Sequence, residues 1–216
     1  MLMIYLNDVD GVPDEAQGLP LSSYRLHRLG ALQQPRARRQ TIAAELLLIR
    51  ALRESGAALE LPLDIHAQLG GKPFLADCPW HFSISHSGSF AACALSDHEI
   101  GLDIQEERGF PKAFLSRFFH ADEQRYVLDA EDREKAFCEI WTRKESLLKL
   151  NGTGLYTTLA SFSCLDLPAG VSGWHTETDR LHIAVSSQGA KAEPDRICVL
   201  SAGELLSGLT YAGGRG

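Results

Sequence analysis

Apolar positions along this chain recur with two different spacings, and the switches between them mark out the elements. Gln40 to Arg53 (QTIAAELLLIRALR) is rich in strong helix formers and free of Gly and Pro, which predicts a helix that Ser55-Gly56 ends. Gly70-Gly71-Lys72-Pro73 reads as a turn or loop. Three short strand candidates follow, Trp80 to Ser85, Phe90 to Leu95 and Glu99 to Ile104, separated by Ser87-Gly88 and Asp97-His98. The second half repeats that order. Arg133 to Leu150 predicts a long helix stopped at Asn151-Gly152-Thr153-Gly154, and strand candidates stand at Ala160 to Leu165, Leu181 to Ser186 and Arg196 to Leu200. Ala113 to Phe119 and Ala121 to Leu128 predict shorter helices between the halves. The N-terminal MLMIYLNDVDG has no basic n-region and reads as a first strand, not a signal peptide.

One long helix followed by three strands, occurring twice, predicts an α+β fold of two similar lobes packed face to face. Each lobe is expected to be a long helix on a small, mainly antiparallel sheet. The division falls at 1–105 and 106–211, and the tail 212–216 (AGGRG) is expected to be disordered. A cleft between such lobes is a common place for a ligand.

Composition narrows the partners. The chain has 216 residues, of which 44% are hydrophobic and 23% charged, ordinary for a globular protein, and no run approaches the length of a membrane span. Five widely spaced cysteines form no CxxC pair, so neither a disulfide framework nor a zinc site is expected and a cytoplasmic location is the default. The net charge of −7 argues against a broad nucleic-acid surface. Yet Arg25, Arg28, Arg36, Arg38 and Arg39 crowd one short window, and a basic patch on an acidic protein suits a small polyanion.

The candidate chemistry lies in a few places. Trp141, Glu145 and Lys149 recur every four residues and share one helical face. A surface ion pair is the bland reading of Glu145 and Lys149, although a bulky aromatic seldom sits on a purely solvated stripe. Lys144 falls toward the apolar side and must snorkel to a cleft or find an anion. In IGLDI, alternation puts Gly101 and Asp103 on the side opposite Ile100, Leu102 and Ile104. Asp103 is either a partnered site residue or a strand-end cap. FSISHSG leaves Ser85 and His86 at a strand end, as a phosphate-binding edge or as a polar hairpin turn. A Ser-His hydrolase is disfavoured, since adjacent strand residues point apart and no GxSxG elbow is present. A carboxylate on a strand, another on a helix and nearby lysines point to a Mg²⁺ site that handles a phosphate ester.

Taken in order, GKP, FSISHSG, IGLDI, RFFHADE and WTRKESLLKLNGTGL resemble the Sfp-type 4′-phosphopantetheinyl transferases over about residues 20 to 205. The resemblance implies a pseudo-dimeric fold. It also implies Mg²⁺-dependent transfer of the phosphopantetheine arm of coenzyme A to a serine of an apo acyl or peptidyl carrier protein, releasing 3′,5′-ADP. By that resemblance Asp103, Glu145 and Lys149 are the catalytic residues. Asp103 and Glu145 match the Mg²⁺ ligands, Glu145 also the base that activates the carrier serine, and Lys149 the lysine that serves the leaving phosphate. Lys144 and His86 match contacts to the diphosphate and 3′-phosphate, and Lys72 and Ser85 further nucleotide contacts. Thr41, Arg25 and Arg28 fall near the 3′-phosphate, and Glu123 matches an acid near the metal. Many members read GIDIE, but here position 105 is Gln105, a weaker ligand for a hard cation, expected to reach the metal through water. The implied protein is a cytoplasmic monomer serving fatty-acid, polyketide or non-ribosomal peptide carriers, with no nucleic-acid or membrane partner. A non-catalytic module that binds coenzyme A or a carrier protein is the rival reading.

Overall fold

The computed structural model describes residues 1–110, 112–152, 158–178 and 181–207. Its N-terminal apolar run forms strand β1 (Leu2–Asp8), between β5 (Phe90–Ser96), antiparallel, and β9 (Arg196–Leu200), parallel. With β4 (His81–Ser87) the first sheet has the order β4-β5-β1-β9. A second, antiparallel sheet has the order β6-β8-β7, from Ile100–Glu106, Leu181–Gln188 and Val171–Thr178. A small hairpin, β2 (Ile65–Ala67) and β3 (Pro73–Leu75), holds the Gly70–Lys72 turn.

Helix α2 (Pro35–Glu54) packs on the first sheet and α5 (Arg133–Asn151) on the second. Helix α1 (Ser23–Gly30) lies against α2. Helices α3 (Lys112–Phe118) and α4 (Ala121–Asp129) belong with α5, and α6 (Ala202–Leu206) closes against β1, β9 and α2. Period-two alternation on β1 explains the layering. Met3 and Tyr5 join the core under α2, whereas Leu2, Ile4 and Leu6 join a core with Ile100, Leu102 and Ile104 of β6 and Ile183 and Val185 of β8. The two sheets therefore meet face to face, each backed by its long helix. A strand buried on both sides reads as a continuous apolar run, as LMIYL does.

Local signals account for the helix ends. Asp132 caps α5 by accepting from the amides of Glu134 and Lys135, each at 3.1 Å, and Gly152 ends it in the left-handed region at φ 65°. Thr153-Gly154 and the 212–216 tail lie outside the described residues. Helix α2 begins at Pro35, earlier than its apolar pattern announces, because Pro suits the first helical position while RARRQ carries no apolar signal.

Three expectations change. Ala160 to Leu165 forms no strand, holding instead a 3₁₀ turn (Leu159–Ser161) and irregular chain. The missing strand is β7, whose VSGWHTET is too polar to stand out. Strand pairing also crosses the 105/106 division, since Ile100–Glu106 pairs with β8 while β9 returns to β1.

Where the sheets meet edge to edge, side chains replace a backbone ladder. Ser83, Ser85 and Ser87 of β4 accept from the amides of Leu102, Ile104 and Glu106 of β6, at 2.9, 3.2 and 3.0 Å. This is what the alternating serines of FSISHSG do. On the other face of β6, Gly101 lets α5 approach: a Cβ there would lie 2.0 Å from the Ser146 carbonyl oxygen and 2.4 Å from the Leu150 amide nitrogen. Both obstacles are backbone, so Gly101→Ala must push α5 off the sheet. We expect a loss of about 3 kcal/mol, read as a fall in melting temperature of about 6–12 °C.

Candidate active site

A cavity of about 300 Å³ opens where α1, α2 and β4 meet the C-terminal half of α5. Arg25, Arg28, Thr41, Lys72, His86, Glu145 and Lys149 all line it. Helical spacing explains the α5 contribution, since Glu145 and Lys149 stack one turn apart. Trp141, one turn earlier, packs instead among Phe118, Phe119 and Phe137, with ring centroids 5.8, 6.5 and 6.0 Å away.

Asp103 forms the link between the sheets and the cavity. It is 6% exposed, and its Oδ1 accepts from Ser85 Oγ at 2.7 Å and from Lys149 Nζ at 2.8 Å. Lys149 also donates to the Ile84 carbonyl at 3.2 Å. Burial, and next the charge of Asp103, push Glu145 above the ordinary carboxylate range, with Lys149 opposing. Two carboxylates sharing a partly desolvated site are a donor set that a hard divalent cation relieves, so Asp103 and Glu145 fit a Mg²⁺ ion.

The sign of that shift gives a prediction. Glu145 ionises at a higher pH folded than unfolded, so its stabilising contribution is full at low pH and is lost as pH rises through the folded value. Glu145→Gln removes that loss. In metal-free thermal melts the variant should outlast the parent at neutral pH, and the gap should close below pH 4.5, the ordinary Glu value.

The cationic side is only partly satisfied. Arg25 is 5% exposed, and its Nε donates to Glu45 Oε2 at 3.1 Å, yet one terminal nitrogen is buried with no hydrogen-bond partner. The same Glu45 carboxylate accepts from the Ser22 hydroxyl at 2.8 Å. Tyr24 lies beneath both Arg25 and Arg28, with 5.8 Å from each guanidinium to its ring centre. Burial, then the nearby Lys149, hold His86 below its ordinary value; Arg28 and Arg25 act the same way and Asp103 opposes them. An imidazole depressed by burial and by nearby cations, together with an orphaned guanidinium nitrogen, marks a pocket shaped for an anion.

Six expected residues sit differently. Lys144 and Glu123 are both 0% exposed and bind each other, with Lys144 Nζ 2.8 and 2.6 Å from the two Glu123 oxygens and 2.6 Å from the Phe162 carbonyl. Glu123 also accepts from the His120 and Cys164 amides. Neither residue lines the cavity: packing of α4 on α5 answers the anion Lys144 needs, and it leaves Glu123 no oxygen to spare for a metal. Ser85 is committed to Asp103 and the Ile104 amide. Gln105 donates its amide to Ser87 Oγ at 3.1 Å and to the Glu106 carbonyl at 2.8 Å, which anchors it to the end of β4. Lys72 reaches the cavity with its ammonium already on Glu99 (2.8 Å) and the Leu150 carbonyl (3.1 Å). Arg38 leaves the basic group altogether, bonding the carbonyls of Asp14, Leu29 and Leu32.

Tyr24 and Glu45 escaped the sequence reading. Glu45 carried a usable signal: a carboxylate inside the apolar run IAAELLLI, one turn beyond Thr41, needs a partner as much as Asp103 does.

Comparison with known sequences now bears on this geometry. A family model described as the 4′-phosphopantetheinyl transferase superfamily matches residues 99–200. The chain is 32% identical to the 4′-phosphopantetheinyl transferase Sfp of Bacillus subtilis over 151 residues, 63% of this chain and 67% of that protein. It belongs to the Sfp-type 4′-phosphopantetheinyl transferase family. It is also 33% identical to the transferase AcpT of Salmonella typhi, covering 67% of this chain and 73% of that protein. With the Bacillus pumilus transferase psf-1 identity is 34%, over 58% of this chain and 55% of the relative, so the chain spans about half the length of that relative. Family membership places the IGLDI and WTRKESLLK motifs within the matched region, which contains Asp103, Glu145 and Lys149.

Proposed function

We propose that this chain transfers the 4′-phosphopantetheine arm of coenzyme A to a serine of an apo acyl or peptidyl carrier protein, releasing 3′,5′-ADP. The observation that carries this reading is the cavity, which joins an unpaired buried guanidinium nitrogen of Arg25 to Glu145, Lys149 and the adjoining Asp103. Two helix-on-sheet units meeting at that cavity support a two-lobed, pseudo-dimeric enzyme that reacts in its cleft and works as a monomer. Among the described residues no helix is long and apolar enough to cross a membrane.

In this mechanism Arg25, Arg28 and His86 hold the phosphorylated nucleotide end, with Thr41 beside them. The carrier serine oxygen attacks the β-phosphorus of the diphosphate, a new P–O bond forms, and the bond to the 3′,5′-ADP oxygen breaks. Glu145 takes the serine proton as general base. Lys149, anchored on Asp103, offers positive charge and a proton to the departing phosphate. Asp103 and Glu145 would hold Mg²⁺, which when bound neutralises charge on the diphosphate.

The test is to incubate the protein with coenzyme A, Mg²⁺ and an apo carrier and weigh the carrier. A gain of one phosphopantetheine is expected, and an unchanged mass across fatty-acid, polyketide and peptide carriers would overturn the reading. Arg28 is exposed, so Arg28→Ala should fold normally. Steady-state kinetics should show its KM for coenzyme A raised about tenfold, as for loss of one charged hydrogen bond, with kcat little changed.

A further inference from the structure

A second cluster of ionisable groups sits at the opposite end of α5, beside Lys135 and Glu139. Along the helix, Lys135 and Lys149 are separated by roughly 20 Å. Glu107, Glu177 and His182 each present one side-chain atom there, all within 4.8 Å of one another. Strand register brings them together. His182 of β8 is paired with Glu177 of β7 on one side and Gln105 of β6 on the other, and Glu107 follows β6 directly.

Two of the three groups are unsatisfied. His182 is 1% exposed, and its Nε2 is buried without a hydrogen-bond partner, as is Glu107 Oε1. These atoms lie 3.4 Å apart without making a hydrogen bond. Burying an imidazole nitrogen and a carboxylate oxygen without hydrogen bonds is costly, and an ion shared between them would satisfy both.

We propose that Glu107, Glu177 and His182 form a Zn²⁺ site, one carboxylate oxygen from each glutamate and Nε2 of His182 serving as ligands and water completing a tetrahedron. Tetrahedral zinc with bonds of about 2.1 Å spaces its ligands about 3.4 Å apart, the separation of the His182 and Glu107 atoms. Glu177 closes the rest by a small side-chain movement. The imidazole selects zinc over the oxygen-seeking Mg²⁺ and Ca²⁺. A supporting layer is in place: His182 Nδ1 lies 3.2 Å from His175 Nε2, and His175 Nδ1 lies 4.0 Å from Glu139 Oε1. A proton on Nδ1 directed at His175 leaves Nε2 free to bind the metal.

Lys135 is the competitor. Its ammonium bonds Glu177 Oε1 at 2.5 Å and stands 3.9 Å from Glu107 Oε1, so a cation already occupies the entrance. The side chain is partly exposed and can swing outward when zinc enters. This site does not depend on the transferase reading.

The test is to titrate the metal-free full-length chain with Zn²⁺ calorimetrically and with Co²⁺ by visible absorption. One equivalent should bind, with cobalt bands of a tetrahedral, thiolate-free site. Glu177 is exposed, so Glu177→Gln should keep its fold and lose at least about tenfold in zinc affinity; His182→Gln should abolish the cobalt bands. Lys135→Ala should bind zinc more tightly, a gain that a merely structural ion pair would not give. Saturating Mg²⁺, which the Asp103 and Glu145 carboxylates would take up, should leave the titration unchanged, which separates this site from the cavity. A thiolate-to-cobalt charge-transfer band, equal affinity in Glu177→Gln, or Lys135→Ala binding no tighter than the parent would each overturn the proposal.

Discussion

Replacing Glu145 with alanine is expected to lower kcat/KM for carrier labelling by about 10³, while the protein still folds and still retains coenzyme A. A positioned general base alone contributes about 10²–10⁴. On the proposed mechanism Glu145 also serves with Asp103 as one of two carboxylates suited to the cation, so its removal should weaken both proton transfer and charge neutralisation. The groups proposed to hold the nucleotide, Arg25, Arg28 and His86, come from α1 and β4 and are untouched. Carrier mass spectrometry reads the first effect and calorimetry with coenzyme A the second. Labelling equal to the parent would remove Glu145 as base and ligand. Nucleotide binding by a parent protein that labels no carrier would favour the binding-module reading.

Lys144→Met should do the reverse, costing stability rather than chemistry. Lys144 and Glu123 are fully buried against each other, and removing one partner leaves the other charged and uncompensated. Breaking such a pair costs about 3–5 kcal/mol, which for a chain of this size is a fall in melting temperature on the order of 10 °C. The ammonium also lies 4.2 Å from the centre of the Phe162 ring, a contact that methionine keeps only in part. At a temperature where the variant is folded, its KM for coenzyme A should match the parent's. A KM raised tenfold with an unchanged melting curve would return Lys144 to the diphosphate, where the family resemblance puts it.

These two neighbours on α5 show how far the chain could be read without coordinates. Apolar period and helix stops located α2, α5 and the strands β1, β4, β5, β6, β8 and β9, because each depends on residues a few positions apart. Strand β7 was hidden because its half-buried, polar sequence carries little hydrophobic alternation. The serines of FSISHSG looked like a phosphate-binding edge, and nothing local revealed that three hydroxyls would stitch β4 to β6. That seam depends on two strand edges from different sheets lying side by side.

The sequence by itself determined the α+β class, the family, and the two motifs that carry Asp103, Glu145 and Lys149, since motif and period are local properties. Tertiary structure alone decided which charges meet. Lys144 and Lys149 are five residues apart and so about 140° apart around α5, one turned toward α4 and Glu123, the other toward β6 and Asp103. Both are lysines on one helix beside one glutamate. Their different fates follow from desolvation: a fully buried ammonium must be matched by a buried carboxylate, whereas one at the cavity edge can share its charge with a substrate.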